Sequence, residues 1–166
     1  MQAEPSARPL QSTTTRPPRQ SDNKGEYAYV SDAEFDRLSR AREFLWEVAP
    51  HGHRYATKQE DVDAALADGL YLPILLIEAV MKLHAYAQAH GREEAVRSLY
   101  IYMHDEAELR RRFKVRGDAP QDIERRIAQC RDWNARAEAS GIPFYMLNGE
   151  QTPERMAAEA LSFFRS

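Results

Sequence analysis

Two arginines near the start of the chain, Arg16 and Arg19, have the spacing that most clearly points to chemistry. They flank Pro17 and Pro18 and follow a run of hydroxyl residues, Ser12 to Thr15. Because proline fixes φ and restricts the residue before it, the two guanidinium groups would be held at little further entropic cost. Guanidinium groups and hydroxyls together suit a phosphate dianion. The alternative is an exposed basic loop. The local sequence favours neither interpretation over the other.

Further residues of the right type for phosphate chemistry occur later in the chain. Tyr27, Tyr55 and Thr57 lie at predicted strand ends, where tyrosine hydroxyls could donate to a phosphate, although strand aromatics more often pack. Arg112 and Arg116 are one helical turn apart, and Arg126 lies on the following predicted helix. Singly, these three arginines are typical of a solvated helix face. Together they could neutralise a transferring phosphoryl group.

Composition excludes several other classes of function. A net charge of −3 over 166 residues argues against a general nucleic-acid binder. The single cysteine, Cys130, allows no internal disulfide and fits a reducing cytoplasm. No apolar run approaches the roughly 20 residues that span a bilayer. His51 and His53 have no cysteines or clustered carboxylates nearby, so no metal site is predicted. The sequence therefore predicts a cytoplasmic protein that does not bind nucleic acid or membranes.

The elements that must position these side chains follow from capping signals and short apolar runs. Helices are predicted at residues 32–41, 58–68, 79–90, 105–115, 119–139 and 153–164. Strands are predicted at Tyr27–Val30, Phe44–Val48, Ile74–Ile77, Leu99–Met103 and Phe144–Leu147. From residue 70 onwards, strands alternate with helices, which indicates a parallel sheet covered by helices. Residues 27–57 read as a smaller α+β insertion, so the predicted fold class is α/β.

From about Leu10 to Phe164, the sequence resembles a guanylate kinase. STTTRPPR followed by EYAYVSDAEF is similar to the family's GMP-binding segment, and GHRYAT at 52–57 is similar to its G-x-Y-Y-G-T motif. The resemblance puts Thr57 near the guanine and implies that the GMP phosphate is held by Ser12, Arg16, Arg19, Tyr27 and Tyr55. ILLIE at 74–78 resembles the strand LLDID, which places Glu78 at the family's guanine- and metal-site aspartate.

The C-terminal half carries the remaining resemblance. RRRFKVRGD resembles the entrance to the family's lid, which implies that Arg112 and Arg116 face the ATP phosphates and that Arg126 bridges the two nucleotides. YMLNGE resembles the end of the last core strand, with Asn148 near the adenine. The implied layout is a single P-loop NTPase-type domain. Residues 9–26 and 70–166 form its core and lid, 27–57 form its acceptor-binding subdomain, and 1–8 are disordered.

The resemblance implies ATP-dependent phosphoryl transfer to GMP or a related monophosphate, catalysed by Arg112, Arg116 and Arg126, with Mg²⁺ accompanying the ATP. Two alternatives stay open. One is a non-catalytic module that binds a nucleotide or a phosphopeptide, and the other is a relative that phosphorylates a sugar phosphate. The family's strand reads FLEWA, and its glutamate reads the guanine. This chain reads FLWEV at the same place. Trp46 therefore stands at the position of that glutamate, and Glu47 comes one residue later. Since consecutive strand side chains face opposite ways, only a bulge would return Glu47 to that role.

The motif G-x-x-x-x-G-K-[ST], the P-loop, does not occur in the sequence. Residues 1–12 resemble the tail of the helix that follows the P-loop in the family, so we expect a chain shortened at its N-terminus. The fold would lack its first strand and P-loop, and two rows of backbone groups would lose their ladder partners. We therefore expect negligible kinase activity from these 166 residues alone, and strands that rearrange, self-associate through the incomplete sheet or are only marginally stable.

Overall fold

The computed structural model describes residues 7–165, leaving out the side chains of His51 and Arg165. The chain divides into two compact units, Met1–Val96 and Arg97–Ser166. This division differs from the predicted core with an insertion at 27–57, which stays a prediction. Of the segment predicted to be disordered, residues 1–6 lie outside the described residues. Arg8 forms an isolated bridge with Tyr71, and its N–H donates to the carbonyl of Leu70 at 2.9 Å.

Four short strands form one mixed sheet in the first unit. They are β1 (Ser12–Thr14), β2 (Tyr27–Tyr29), β3 (Phe44–Val48) and β4 (Tyr55–Lys58), in the spatial order β2-β1-β4-β3. β1 and β2 are parallel, whereas β4 is antiparallel to both β1 and β3. β1 was not predicted as a strand; it lies inside the sheet, so its backbone is paired on both sides.

Helix α1 (Asp32–Arg40) packs on one face of this sheet. It begins where the Ser31 hydroxyl accepts the Glu34 N–H at 3.2 Å, as the capping pattern predicts. Its inward residues, Phe35 and Leu38, form an apolar cluster with Phe44 of β3 and Ala56 of β4. We call this cluster the α1 cluster.

Two further helices, α2 (Gln59–Ala67) and α3 (Ile77–Ala89), complete the first unit together with two 3₁₀ turns at Pro50–Gly52 and Glu93–Ala95. A second apolar cluster forms around Trp46 of β3, with Leu10, Val62 of α2 and Ala79 of α3. We call it the Trp46 cluster.

A β-bulge in β3 allows the same strand to feed both clusters. Phe44 pairs with Lys58 of β4, but Trp46 pairs with Thr57, so the register shifts by one residue around Leu45. Without the shift, Phe44 and Trp46 would face the same way, because side chains alternate along a strand. The bulge sends Phe44 to the α1 cluster and Trp46 to the Trp46 cluster.

The second unit contains the parallel pair β5 (Ser98–Tyr102) and β6 (Phe144–Asn148). Its helices are α4 (Glu106–Arg116), α5 (Pro120–Ala139) and α6 (Pro153–Arg165). The Asp105 carboxylate caps α4 by accepting the N–H groups of Ala107 and Glu108 at 2.8 and 3.1 Å. α4 and α5 pack through Leu109, Ile123 and Ile127.

The predictions of helices and fold class are confirmed, and one predicted strand is wrong. Each predicted helix is found with ends within two residues of those expected, and the mixture of helices with parallel and mixed sheets is α/β. Ile74–Ile77 is not a strand, because Leu76 caps α3 and the Ile74 side chain is fully exposed. Pro73 has no N–H to donate, and no strand among the described residues pairs with 73–76. Within residues 7–165, no helix is both long and apolar enough to cross a membrane.

Candidate functional site

One face of the four-stranded sheet collects most of the residues predicted to bind the acceptor. Ser12 pairs with Tyr27, and Thr14 pairs with Tyr55. Side chains of paired residues lie on the same face, and residues two apart on a strand share that face. Ser12, Tyr27, Tyr55 and Thr57 therefore lie together on the face opposite the α1 cluster. We call it the clamp face.

Arg16 leaves the end of β1 and folds back over this face. Only 4% of the residue is exposed, and its guanidinium carbon lies 4.9 Å from the ring centre of Tyr27 and 5.9 Å from that of Tyr29. Its Nη1 donates to the Pro17 carbonyl at 2.7 Å, and its backbone N–H donates to the Thr14 hydroxyl at 3.1 Å. The guanidinium group is thus a buried cation in a fixed position on an aromatic surface.

The counter-ion of Arg16 is Asp22. One carboxylate oxygen accepts the Arg16 Nη2 at 2.9 Å, and the other accepts the Arg19 backbone N–H at 2.6 Å and the Tyr29 hydroxyl at 2.5 Å. Hydrogen bonds from Arg16 and then Tyr29 hold the pKa of the Asp22 carboxyl well below its usual range, and the bond to Asp22 raises the pKa of Arg16. Sequence reasoning missed Asp22; its only signal was an Asp-Asn pair in the turn after the arginines.

The other predicted phosphate contacts surround Arg16. The ring of Tyr27 lies 6.2 Å from that of Tyr55, centre to centre. Burial, followed by the neighbouring Glu26, raises the pKa of Tyr27, so its phenol stays a neutral donor at physiological pH. The side chain of Arg19 is exposed and, within the described part of the chain, has no ion-pair partner. The structure therefore brings Arg16, Tyr27 and Tyr55 together, and the backbone of the exposed Arg19 is bonded to the same Asp22 that pairs with Arg16.

Beyond Tyr55, the clamp face continues to Thr57 and Trp46, which pair with each other. Trp46 is 3% exposed and packs against Leu10 and Val62. Thr57 is fully buried, and its hydroxyl oxygen has no hydrogen-bond partner among the described atoms. At this end, the clamp face is apolar apart from that one hydroxyl.

Glu47 does not lie on the clamp face. It pairs with Ala56, on the side of the α1 cluster, where it accepts the Ser39 hydroxyl at 2.6 Å and lies 3.6 Å from Arg54. The bulge precedes Trp46, so it turns Glu47 away from Thr57 instead of towards it. A base-reading role for Glu47 stays a prediction that this geometry does not favour. Glu78, the other carboxylate predicted to bind the acceptor, lies exposed in the first turn of α3, outside the sheet.

In the second unit, Arg116 and Arg126 converge on one carboxylate, that of Asp118. The Arg116 Nε donates to Asp118 at 3.1 Å, and the Arg126 Nε lies 3.3 Å from the other oxygen without hydrogen-bond geometry. Both guanidinium groups lie over the Phe113 ring, at 4.9 and 6.0 Å from its centre. Arg116 first, then Arg126, lowers the pKa of the Asp118 carboxyl. The two cations can thus act on one bound anion.

The remaining predicted donor-site residues shape the turn after β6. Arg112 donates to the Glu108 carboxylate and to the Gly149 carbonyl, both at 2.8 Å. The Asn148 side-chain oxygen accepts the Glu150 N–H, also at 2.8 Å. Both side chains are engaged in holding the backbone. Their predicted contacts with ATP stay predictions.

The described residues contain no group of three His, Cys, Asp or Glu side chains placed to hold a metal ion. Mg²⁺ commonly reaches an enzyme through substrate phosphates, and that route needs no such cluster.

Comparison with known proteins gives consistent results. The guanylate kinase family model matches residues 7–150. Among curated relatives, the chain is 37% identical to a guanylate kinase of Thermobifida fusca over 122 residues, covering 72% of this chain and 60% of the relative. It is 30% identical to a guanylate kinase of Polaromonas over 152 residues, covering 89% and 69%. For a guanylate kinase of Bordetella pertussis, the identity is 36% over 120 residues, covering 70% and 53%.

Among solved structures, the fold matches a guanylate kinase from Anaplasma phagocytophilum with a TM-score of 0.59 and 19% identity, covering 94% of this chain and 76% of the other. At that identity, the likeness concerns the fold. The chain spans between 53% and 69% of the lengths of the three curated relatives.

Proposed function

The chain belongs to the guanylate kinase family, and on that premise we propose that its clamp face binds the phosphate of GMP or a related monophosphate. The bound monophosphate would be the acceptor in an ATP-dependent phosphoryl transfer. The observation that carries this proposal is the buried Arg16, fixed beside the hydroxyls of Tyr27 and Tyr55 on one face of the sheet. A cytoplasmic location, which the single cysteine fits, is part of the proposal.

The physical case for phosphate rests on charge and burial. A guanidinium group partly removed from water interacts more strongly with an anion than one in bulk solvent, because the local dielectric constant is lower. Charge-assisted hydrogen bonds to phosphate are about twice as strong as neutral ones. Tyrosine hydroxyls add hydrogen-bond donors, and the exposed Arg19 guanidinium supplies a second positive charge. Ser12, on the same face as Tyr27, adds a further hydroxyl.

Arg116 and Arg126 are proposed to neutralise charge on a transferring phosphoryl group, an interaction that counts most in the transition state. Support comes from their convergence on Asp118, which keeps both cations beside one anion. Mg²⁺ would arrive bound to the phosphates of ATP, and no step is assigned to it. Because the sequence contains no P-loop motif, we expect the 166-residue chain by itself to bind the acceptor without transferring phosphate.

Calorimetry with GMP tests the acceptor site. Replacing Arg16 by alanine should weaken GMP binding by roughly 10- to 150-fold, since hydrogen bonds to charged groups contribute about 1.5–3 kcal/mol. Arg40→Ala is the matched control, because Arg40 is an exposed arginine on α1, away from the clamp face. GMP affinity that survives Arg16→Ala, or that falls equally in Arg40→Ala, would show that Arg16 is merely part of a basic loop.

A second candidate acceptor is a sugar phosphate, which the burial of Trp46 at the far end of the clamp face favours. A sugar phosphate needs the clamp but no carboxylate to read a base. Competition of ribose 5-phosphate against GMP separates the two candidates. Equal affinity for both ligands would favour the sugar phosphate, and a large preference for GMP would favour the nucleotide. GMP binding without turnover, even when a separate P-loop donor segment is supplied, would favour a non-catalytic module.

A further inference from the structure

We propose that Asp22 is the positioning residue of the phosphate clamp: its carboxylate fixes Arg16 so that the guanidinium hydrogens left over are directed to the acceptor phosphate. This inference rests on the proposed function, because it concerns the same site. It goes further by giving a defined role to a carboxylate that sits at the centre of an anion-binding site.

The Arg16 guanidinium supplies the hydrogen-bond donors of the clamp. A guanidinium group has five N–H donors in a planar fork. One hydrogen of Nη2 is used by Asp22, and one hydrogen of Nη1 is used by the Pro17 carbonyl. Because both terminal nitrogens are held, the group cannot rotate about its own axis, and its central carbon lies 4.9 Å from the centre of the Tyr27 ring. The remaining N–H donors lie beside the hydroxyls of Tyr27 and Tyr55, in a fixed orientation.

The Asp22 carboxylate holds more than the Arg16 guanidinium. Asp22 also accepts the backbone N–H of Arg19 and the hydroxyl of Tyr29. It therefore ties the turn that carries the second cation to strand β2. A phosphate bound in its place would have to provide all these contacts at once. The side chain of Asp22 is only 13% exposed. Such low exposure is typical of a carboxylate that belongs to the structure of the site.

The competing interpretation is that Asp22 occupies the acceptor's place and competes with it. The two interpretations predict opposite changes in anion affinity when Asp22 loses its charge. If Asp22 competes, or acts only through its negative charge, removing that charge should tighten anion binding. If it positions Arg16, removing the charge should weaken binding, although the site becomes more positive. The low pKa of Asp22 keeps the carboxylate ionised throughout the physiological range, so the arrangement persists there.

The experiment compares Asp22→Asn with Asp36→Asn. Asp36 is a matched control, because it too pairs with a single arginine, Arg54, at 2.6 Å in the same unit, and its loss changes net charge equally. Calorimetry with GMP should show at least a tenfold loss of affinity in Asp22→Asn and less than a twofold change in Asp36→Asn. Unchanged or tighter binding by Asp22→Asn overturns the proposal.

A second readout separates positioning from general destabilisation. In ¹H–¹⁵N spectra of the ligand-free protein, the Arg16 side-chain resonances should move or broaden in Asp22→Asn, while the backbone amides of β3 and β4 stay in place. Collapse of the whole spectrum would identify a folding defect, and Tyr29→Phe then serves instead. It removes one donor to Asp22 and should weaken GMP binding by a smaller factor; binding equal to wild type would overturn the proposal.

The outcomes also distinguish this inference from the proposed function. If the wild-type chain binds neither GMP nor inorganic phosphate, both the proposed function and the role of Asp22 fail. If the wild-type chain binds GMP and Asp22→Asn binds it equally well, only the role of Asp22 fails.

Discussion

Replacing Glu47 by glutamine tests which carboxylate, if any, reads the base of the acceptor. The family resemblance made Glu47 a candidate, but the observed register pairs it with Ala56, on the side of the α1 cluster. There its carboxylate accepts the Ser39 hydroxyl at 2.6 Å. A side chain on that side cannot contact a ligand lying over Tyr27 and Thr57. We therefore expect Glu47→Gln to leave acceptor binding unchanged.

The magnitudes make the two outcomes easy to separate. A carboxylate that reads a base edge contributes about 1.5–3 kcal/mol, so its loss would weaken GMP binding by roughly 10- to 150-fold. Glutamine keeps an oxygen that can accept the Ser39 hydroxyl, so the substitution removes only the charge that faces Arg54 at 3.6 Å, between side chains that are 40% (Glu47) and 33% (Arg54) exposed. Partly exposed pairs of this kind contribute about 0–1 kcal/mol to folding. We expect less than a twofold change in Kd for GMP and a loss of at most about 1 kcal/mol in the free energy of unfolding.

Calorimetry with GMP and AMP, paired with urea denaturation, measures both quantities. Ser39→Ala is the control, because it removes the hydrogen bond to Glu47 and leaves the carboxylate in place. A tenfold loss of GMP affinity in Glu47→Gln, with AMP binding unchanged, would contradict the reasoning. It would mean that β3 adopts a different register in solution, with Glu47 beside Thr57.

Three further outcomes are expected. Phe35→Ala should lower the free energy of unfolding by about 3–5 kcal/mol in urea denaturation, because Phe35 is fully buried in the α1 cluster. Ile74→Ser should change the free energy of unfolding by less than about 0.5 kcal/mol, since that side chain is fully exposed. A loss of several times that size would indicate that residues 74–77 form a buried strand after all. Because the pKa of Asp22 is lowered in the folded state, its stabilisation is present above about pH 4 and is lost as the pH falls further. The melting temperature of Asp22→Asn should therefore fall less steeply with acid than that of wild type.

Local signals were sufficient for the helices and for most strands, but not for β1 or for residues 74–77. The caps at Ser31 and Asp105 act within three residues, so a short stretch of sequence specifies them. β1 depends on partners that lie further along the chain, at β2 and β4, and its threonine-rich sequence reads equally well as an extended loop. Ile74–Ile77 is the converse case. Its apolar run is typical of a strand, yet a strand requires a paired neighbour, and the described residues provide none for it.

The candidate site shows the same limit. Arg16, Tyr27 and Tyr55 were predicted from residue type and family resemblance, and the sheet does bring them together. Asp22 was missed because its contacts depend on where its carboxylate points, which the sequence does not show. An aspartate in a turn is ordinary, and only the three-dimensional path of the chain shows that its two oxygens accept from three different residues. Sequence reasoning expected that a bulge would return Glu47 to the base-reading position, whereas the observed bulge precedes Trp46 and turns Glu47 to the side of the α1 cluster.

The direction of Glu47 follows from how the core is packed. Phe44 and Trp46 are both large, apolar and buried, and burying such a side chain contributes about 1.5–3 kcal/mol. The two clusters lie on opposite faces of the sheet, so residues two apart can reach both only if the strand bulges between them. A disrupted ladder hydrogen bond costs about 0.5–1.5 kcal/mol, which is less than the gain from burying the second aromatic residue. The bulge is therefore favoured, and it carries Glu47 to the side of the α1 cluster. Within β3, the position that faces Thr57 is 46, so a carboxylate placed there would replace Trp46 and lose its packing against Val62.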